Sequence, residues 1–396
     1  MATDNENKIL NVPNLRFPGF GGEWEKYKVS DVLDFYSTNS LSWEQLDYDN
    51  EDLYNLHYGL IHVGLPILVD IKQNKLPGIK TDCKPKNFEL CKEGDVAFAD
   101  ASEDTNDVAK AIEFINLNNQ KAVCGLHTIH GRDNKGLTVP GYKGYTFASP
   151  LFHNQIRKIA QGTKIYSISS KNFAECYIGI PSKNEQTKIA KLLALIDTRI
   201  STQIKIIEKL ESLIKGIYEK VYNIDEEKFL PLGNIVKIQK GQQINGEELS
   251  EQGAYYVMNG GIAPSGYFDS YNTLANTISI SEGGNSCGYV QYNNVPFWSG
   301  GHCYTLTECK DSFNYKYLYH YLKYKELSIM ALRIGSGLPN IQKKDLERFS
   351  ILDICKEKQN KMVYMLDDLS TKISTERKIL ENYEEQKKYL LSNLFI

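Results

Sequence analysis

The sequence predicts an α+β protein: two strand-rich globular units joined by two long helices that pair as an antiparallel coiled coil, the halves related by a pseudo-twofold internal repeat. Three observations carry this. Residues 162–222 match residues 335–395 at a constant offset of 173 without a gap, with 17 of 61 positions identical, so that "DTRISTQIKIIEKL" (197–210) stands against "STKISTERKILENY" (370–383). The latter part of each copy carries apolar residues at heptad spacing with no proline, the pattern of a coiled coil. Between the copies, short alternating apolar and polar runs are broken by Gly and Asn, the pattern of strands joined by tight loops.

In chain order, residues 1–22 form an N-terminal arm opening with "MATDNENK", polar and acidic where a secretory signal would be basic and then apolar. Residues 23–182 make the first globular unit, opening with "YKVSDVLDF" (27–35). Residues 183–223 make the first long helix, with Pro181 and Ser182 at its start. Its core positions are Leu193, Ile200, Ile207, Ile214 and Val221, interleaved with Ile189, Ile196, Gln203, Leu210 and Ile217. The second unit, 224–354, opens with "FLPLGNIVKI" (229–238), which echoes the first, and is about 30 residues shorter. Its strands are expected in "YYVMNGGIAPSGYF", "TISISEGGNSCGYVQYN" and "VPFWSGGHCYTLT". The second helix, 355–396, places Leu366, Ile373, Leu380, Lys387 and Leu394 at one core position, and Met362, Leu369, Glu376, Tyr383 and Leu390 at the other. Gln203 and Glu376 share one register, where a polar pair would fix alignment at some cost in stability. The competing reading makes each helix an ordinary amphipathic one lying on its own domain. Leu192, Ile206 and Leu213, on the outer faces, point to a surface that a partner buries.

Composition bounds the function. At 396 residues with 41% hydrophobic and 24% charged content, the chain suits several globular domains and not a disordered one. No apolar run approaches the roughly 20 residues that span a bilayer, and eight cysteines without CxxC pairs read as reduced thiols, so a cytoplasmic protein is expected. The net charge of −3 conceals an asymmetry: Lys and Arg against Asp and Glu run 15 to 22 over residues 1–150 and 12 to 6 over 151–222. A local basic stripe is what a nucleic-acid binder needs.

Catalytic signatures are not found. There is no GxxxxGK[ST] loop and no GxGxxG after a strand, and none of the twelve prolines precedes Asp or Pro. "CGLHTIH" offers Cys124, His127 and His130 without a fourth ligand at matching spacing, so no metal site is assigned. "ISEGGNSCG" reads as a strand-turn-strand loop. Tyr317, Tyr321 and Tyr324 fall on one helical face and are read as packing against the sheet. Glu103 and Asp107 are read as an exposed acidic loop.

Three stretches carry a resemblance: "PNLRFPGFGGEWEKYKVSDV", "GTKIYSISSKNFAECYIGIPSKNEQTKIAKLLALIDTRI", and its second copy "GSGLPNIQKKDLERFSILDICKEKQNKMVYMLDDLSTKI". The chain resembles the specificity subunits of type I restriction-modification systems. The first copy keeps the family's Ile180, Pro181, Glu185 and Gln186; in the second, Ile354 replaces the Pro and Lys358 the Glu. The resemblance implies that the two units are target-recognition domains, each reading half of a bipartite, asymmetric sequence in double-stranded DNA. It implies that the coiled coil sets the spacing and docks two methyltransferase (modification) subunits. Two restriction/translocase subunits complete the complex, and the cofactors, S-adenosylmethionine, ATP and Mg, belong to those partners, with none bound by this chain. About 38 residues at roughly 1.5 Å each give a helix near 57 Å, somewhat more than one DNA turn of about 34–36 Å.

Phosphate contacts need cations, and the candidates are Arg157, Lys158, Lys164 and Lys171 in the first unit, with Lys237, Lys240, Arg333, Lys343 and Lys344 in the second. Base edges favour amides and hydroxyls: Asn39, Ser40 and Asn106 in the first unit, and Gln242, Gln243, Asn245, Asn259 and Asn285 in the second. The alternative function is a non-enzymatic coiled-coil adaptor whose lobes bind protein partners. Lys171/Lys344 and Lys164/Arg333, in the polar turn before each helix, favour DNA because they make sense opposite phosphates.

Overall fold

The computed structural model describes residues 11–222, 228–335 and 337–396. The "MATDNENK" stretch, the junction near residue 223 and the side chain of Val221 lie outside the described residues. Residues 11–204 with 379–396 form one compact unit and 205–378 another. The division therefore runs through both long helices and not at their ends.

In the first unit, an antiparallel ribbon pairs Glu25–Lys28 with Tyr177–Ile180 and joins the beginning of the lobe to its end. The short helix Val29–Val32 follows, burying Val29 and Val32. A five-stranded sheet orders Asp34–Tyr36, Thr128–Arg132, Val96–Ala99, Ala111–Asn116 and Leu68–Asp70, and a four-stranded sheet orders Ala122–Cys124, Tyr54–Leu56, Gly78–Ile79 and Leu46–Asp47. Phe98, Phe147, Phe152 and Phe173 fill the core between sheet and helices with tilted and edge-on ring contacts, the geometry that ring quadrupoles prefer. Glu113, fully buried on the strand Ala111–Asn116, accepts the Gly141 and Gly144 amides at 2.9 and 2.8 Å and faces Lys143 Nζ at 3.1 Å. It thereby satisfies amide donors at the start of the helix Tyr142–Phe147 that no intrahelical carbonyl could reach.

The second unit repeats the frame with fewer strands. Phe229–Pro231 pairs antiparallel with Ser350–Leu352, and Leu232, Ile235 and Val236 are buried where Val29, Val32 and Leu33 are buried in the first unit. A four-stranded antiparallel sheet orders Lys237–Lys240, Cys303–Thr307, Thr277–Ser281 and Val290–Asn293; a three-stranded one orders Tyr267–Phe268, Tyr255–Met258 and Trp298–Ser299. These are the strands the alternation predicts, and residues 283–288 do connect strand to strand. Tyr317 and Tyr321 are buried and donate to the Leu352 and Ser350 carbonyls, and Tyr324 stacks on Tyr218 at 4.3 Å. Packing, not base stacking, is their role.

The long helices span Lys183–Tyr222 and Lys356–Asn393. In the first unit, Ile189, Leu193 and Ile196 pack with Leu390, Leu394 and Phe395, flanked by half-buried Ile200, Leu380 and Tyr383. Asp197 Oδ1 meets Lys387 Nζ at 2.6 Å. In the second unit half-buried Ile214 and Ile217 pack with buried Met362 and Leu366, the stripes continue through buried Ile207, Leu210 and Ile373 and half-buried Leu369, and Arg377 bonds Glu211 at 2.7 Å. The start of one helix thus lies against the end of the other in each unit, so they run antiparallel. Gln203 is buried and Glu376 half-buried on the same stripe. Ile206 and Leu213 are exposed, as expected, whereas Leu192 is half-buried against the first unit's core cluster. Position 192 is one residue from Leu193 and lies on the shoulder of the stripe, where the lobe reaches it.

Candidate nucleic-acid interface

The polar turn before each helix opens on a positive-φ glycine in both copies. Gly162 has φ +143°, and a Cβ there would fall 1.9 Å from the Ile165 carbonyl; Gly335 has φ +103°. Both are positions that glycine alone fills without strain. Ser169 Oγ accepts the Asn172 amide at 3.2 Å, capping the helix Ser170–Ala174. Its counterpart is Lys343–Glu347. Phe173 and Leu346, at equivalent positions, anchor these helices in their cores. Lys171 in one and Lys343 and Lys344 in the other are left in solvent, with Lys164 and Arg333 also exposed nearby in sequence. Ammonium groups presented this way suit phosphates.

In the second unit the structure gathers Lys240, Asn259 and Asn285 around one open cleft of about 570 Å³, together with Glu282, His302 and Asn340. Glu282 is largely buried; its Oε1 meets Lys240 Nζ at 2.6 Å and its Oε2 faces His302 Nδ1 at 3.5 Å. Tyr304 shares its hydroxyl between Glu282 Oε1 and the Ile341 carbonyl, both at 3.1 Å. Burial, and then the Glu282 carboxylate, push that phenol above its ordinary value, so it stays a donor. Asn259 Oδ1 accepts the His302 amide at 3.0 Å, and a Cβ on Gly300 would come within 2.5 Å of it. A close-packed amide on one wall and an exposed Asn285 on the opposing loop suit a groove for base edges.

The remaining candidates disperse. Lys237 pairs with Glu308 across the strand ladder, and Asn245 bonds Glu248. Gln242 and Gln243 are exposed in the connection after Lys240. In the first unit, Arg157 reaches Asn106 Oδ1 at 2.8 Å, holding the acidic loop to the helix Pro150–Ile159, on which Lys158 is exposed. Asn39 is committed to the fold: its Nδ2 donates to Asn55 Oδ1 at 2.7 Å and to the Cys124 carbonyl, and its Oδ1 accepts the Leu41 amide. Exposed Ser40 lies beside it in a hollow that also includes His127. A neighbouring hollow of about 630 Å³ has Trp43, Tyr58 and His62 on its walls and Glu103, Asp104 and Asp107 at its rim. That rim repels phosphate, as the acidic-loop reading requires.

Sequence reasoning missed Glu282, His302 and Asn340. Each is separated in sequence from the residues it meets, and a lone His or Glu in a strand-rich stretch carries no signal. It grouped Cys124, His127 and His130 in one motif, and the structure parts them: His127 is exposed at φ +54°, whereas Cys124 and His130 are buried together with Cys91.

Residues 225–385 match the model of the type I restriction modification DNA specificity domain. Among curated proteins, a type I specificity subunit of Mycoplasma pneumoniae is 37% identical over 121 residues, 30% of this chain and 32% of that one. One of Mycoplasma genitalium is 26% identical over 260 residues, 61% and 67% of the two chains. The chain thus matches about a third of the first relative's length and two thirds of the second's. Among solved structures, an S subunit of a type I restriction-modification system from M. genitalium aligns over 97% of this chain and 99% of its own, with TM-score 0.67 and 20% identity. A chain from a study of type I complex assembly and conformational transition aligns over 96% and 98%, with TM-score 0.53 and 17% identity. With the duplicated turn-and-helix element, its two divergent strand-rich lobes and its antiparallel helix pair, the chain is similar to the type I restriction-modification specificity subunits.

Proposed function

We propose that the chain reads DNA without itself carrying catalysis. Each lobe reads one half of a bipartite, asymmetric target, and the paired helices act as spacer and as docking site for two modification subunits. Those partners bring the S-adenosylmethionine chemistry, and two translocase subunits bring ATP and Mg. The observation that carries this reading is the match of residues 225–385, a whole lobe with most of its helix, to a DNA specificity domain. Because the two lobes differ in sequence and strand number around a repeated frame, the two half-sites differ as well. The adaptor alternative gains nothing from the family match, which is to a DNA specificity domain. Among the described residues no helix is long and apolar enough to cross a membrane.

The test is co-expression with the modification subunit from the same locus, followed by single-molecule sequencing for methylated adenine. One bipartite motif with unlike halves is expected, and exchange of residues 226–350 should alter one half only. A soluble complex without any motif would end the DNA reading, and methylation or cleavage by the purified chain alone would end the non-catalytic one.

A further inference from the structure

Cys91 meets Cys124, 33 residues further along the chain, and His130 in the interior of the first lobe. Cys91 lies ahead of the strand Val96–Ala99, and its amide donates to the Ala122 carbonyl at 2.8 Å, which sets it beside the strand Ala122–Cys124. Cys124 ends that strand, and His130 comes from the neighbouring sheet, on Thr128–Arg132. The two sulfurs are 3.6 Å apart, and the sulfurs and one ring nitrogen of His130 all lie within 4.8 Å of one another. All three side chains are buried, with His130 at 0% exposure.

His130 is prepared as a ligand. Its Nε2 donates to Asp95 Oδ2 at 2.7 Å, while its Nδ1 is buried without a hydrogen-bond partner. An imidazole that gives its proton to a carboxylate keeps a lone pair on the other nitrogen, which is the arrangement that orients metal-bound histidines. The orphaned Nδ1 needs an acceptor of that lone pair, because a buried, unpaired nitrogen costs free energy. Arg132 adds no uncompensated charge: Asp95 binds its Nε and Nη2, each at 2.8 Å, and Glu89 binds its Nη1 at 2.7 Å. Two sulfurs on a tetrahedral zinc ion at about 2.3 Å each stand about 3.8 Å apart, and each stands about 3.6 Å from a ligating nitrogen. The sulfurs already have that spacing, and the imidazole needs a shift on the order of 1 Å.

We propose that Cys91, Cys124 and His130 bind a zinc ion, with water as the fourth ligand. Binding converts two thiols to thiolates and releases their two protons to solvent. Two thiolates and Zn²⁺ sum to zero beside an Asp95–Arg132 pair that also sums to zero, and Glu89, on the far side of that guanidinium, keeps its remaining charge partly in solvent. The ion pins the four-stranded sheet, through Cys124, to the five-stranded sheet, through His130. Asn39 bonds the Cys124 carbonyl, so the pin lies directly beneath the Asn39–Ser40 and His127 loops.

Metal analysis of tag-free, full-length chain from zinc-supplemented cells tests this. About one zinc per chain is expected; C91S, C124S and H130Q should each lose it, and H127Q, altered at the exposed histidine, should keep it. Reconstitution with Co²⁺ should give a sulfur-to-cobalt charge-transfer band in wild type and H127Q, and addition of a strong chelator should lower the wild-type Tm. Should the three variants precipitate, the wild-type metal content and cobalt spectrum decide alone. A wild-type chain that takes up neither metal, a cobalt spectrum without sulfur ligation, or zinc that persists in all three variants overturns the proposal.

Discussion

Gln186 and Gln359, 173 positions apart and each fully buried, make the same three hydrogen bonds. Gln186 Nε2 donates to the Pro181 and Leu137 carbonyls at 2.9 and 3.1 Å, and its Oε1 accepts the Val139 amide at 2.9 Å. Gln359 Nε2 donates to Ile354 and Ser312 at 2.7 and 3.2 Å, and its Oε1 accepts Asn314 at 2.6 Å. Each glutamine ties the first turn of a long helix both to the strand before it and to the loop that leads into the lobe's own helices. Truncation strands buried backbone groups, at about 2–3 kcal/mol. Q186A and Q359A should therefore each lower stability by that order in denaturant melts of the full chain, and Q→E at either site should cost more. A cost below about 0.5 kcal/mol for either alanine variant would mean water replaces the amide.

The preceding position distinguishes the copies. Glu185, 2% exposed, is held bidentate by Arg16 at 2.7 and 2.8 Å, and Arg16 also donates to the Gly21 and Gly22 carbonyls. Its counterpart Lys358 is exposed, so the glutamate belongs to the arm's anchorage and not to the repeated frame. R16A leaves a buried carboxylate unpaired and should cost about 2–4 kcal/mol, less than a fully dry pair because Arg16 retains some exposure. R16A/E185Q should recover most of that loss. Equal melts of the single and double variants would contradict it.

The second unit should lose stability in acid in two stages. His320 Nε2 and Lys316 Nζ donate to Asp367 at 2.8 and 2.6 Å. Burial holds the His320 imidazole below its ordinary value, against the pull of Asp367. Burial alone would raise the Asp367 carboxyl, but the bonds from Lys316 and His320 outweigh it and hold it below the usual range. Unfolded histidine takes its proton near pH 6.5 while the native one does not, so this stability declines as pH falls below about 6.5. The aspartate's contribution is complete above about 3.9 and is lost as pH drops further through its lower native value. Urea melts across pH 3–8 should show both limbs, the upper one missing in H320Q and the lower one in D367N. Identical profiles for wild type and H320Q would refute the assignment.

If the second unit's cleft reads bases, Asn285→Ala should relax methylation at one position of one half-site and leave the other half unchanged. K171A and K344A should weaken binding to all sequences alike and each reduce the salt slope by about 1. Relaxation in both halves, or an unchanged salt slope, would remove these residues from the interface.

The helices, their register and the duplication were determined by sequence alone, because a heptad needs only local spacing and a shared core needs only that both stripes exist. Leu193, Ile196, Leu210, Leu366, Ile373 and Leu390 are buried as that spacing dictates. Strand positions in the second unit were legible for the same reason, since alternation is local. What only the tertiary structure decided are the meetings of residues that no local period relates: Glu282 with Lys240 and His302, and Cys91 with Cys124 and His130. It also turned Asn39 from an apparent base reader into a loop fastener. An amide's sequence context gives no sign of whether its partners are a neighbouring loop or a ligand. That is settled by sheet topology, which sets strands of remote sequence about 4.8 Å apart and brings their side chains within bonding distance.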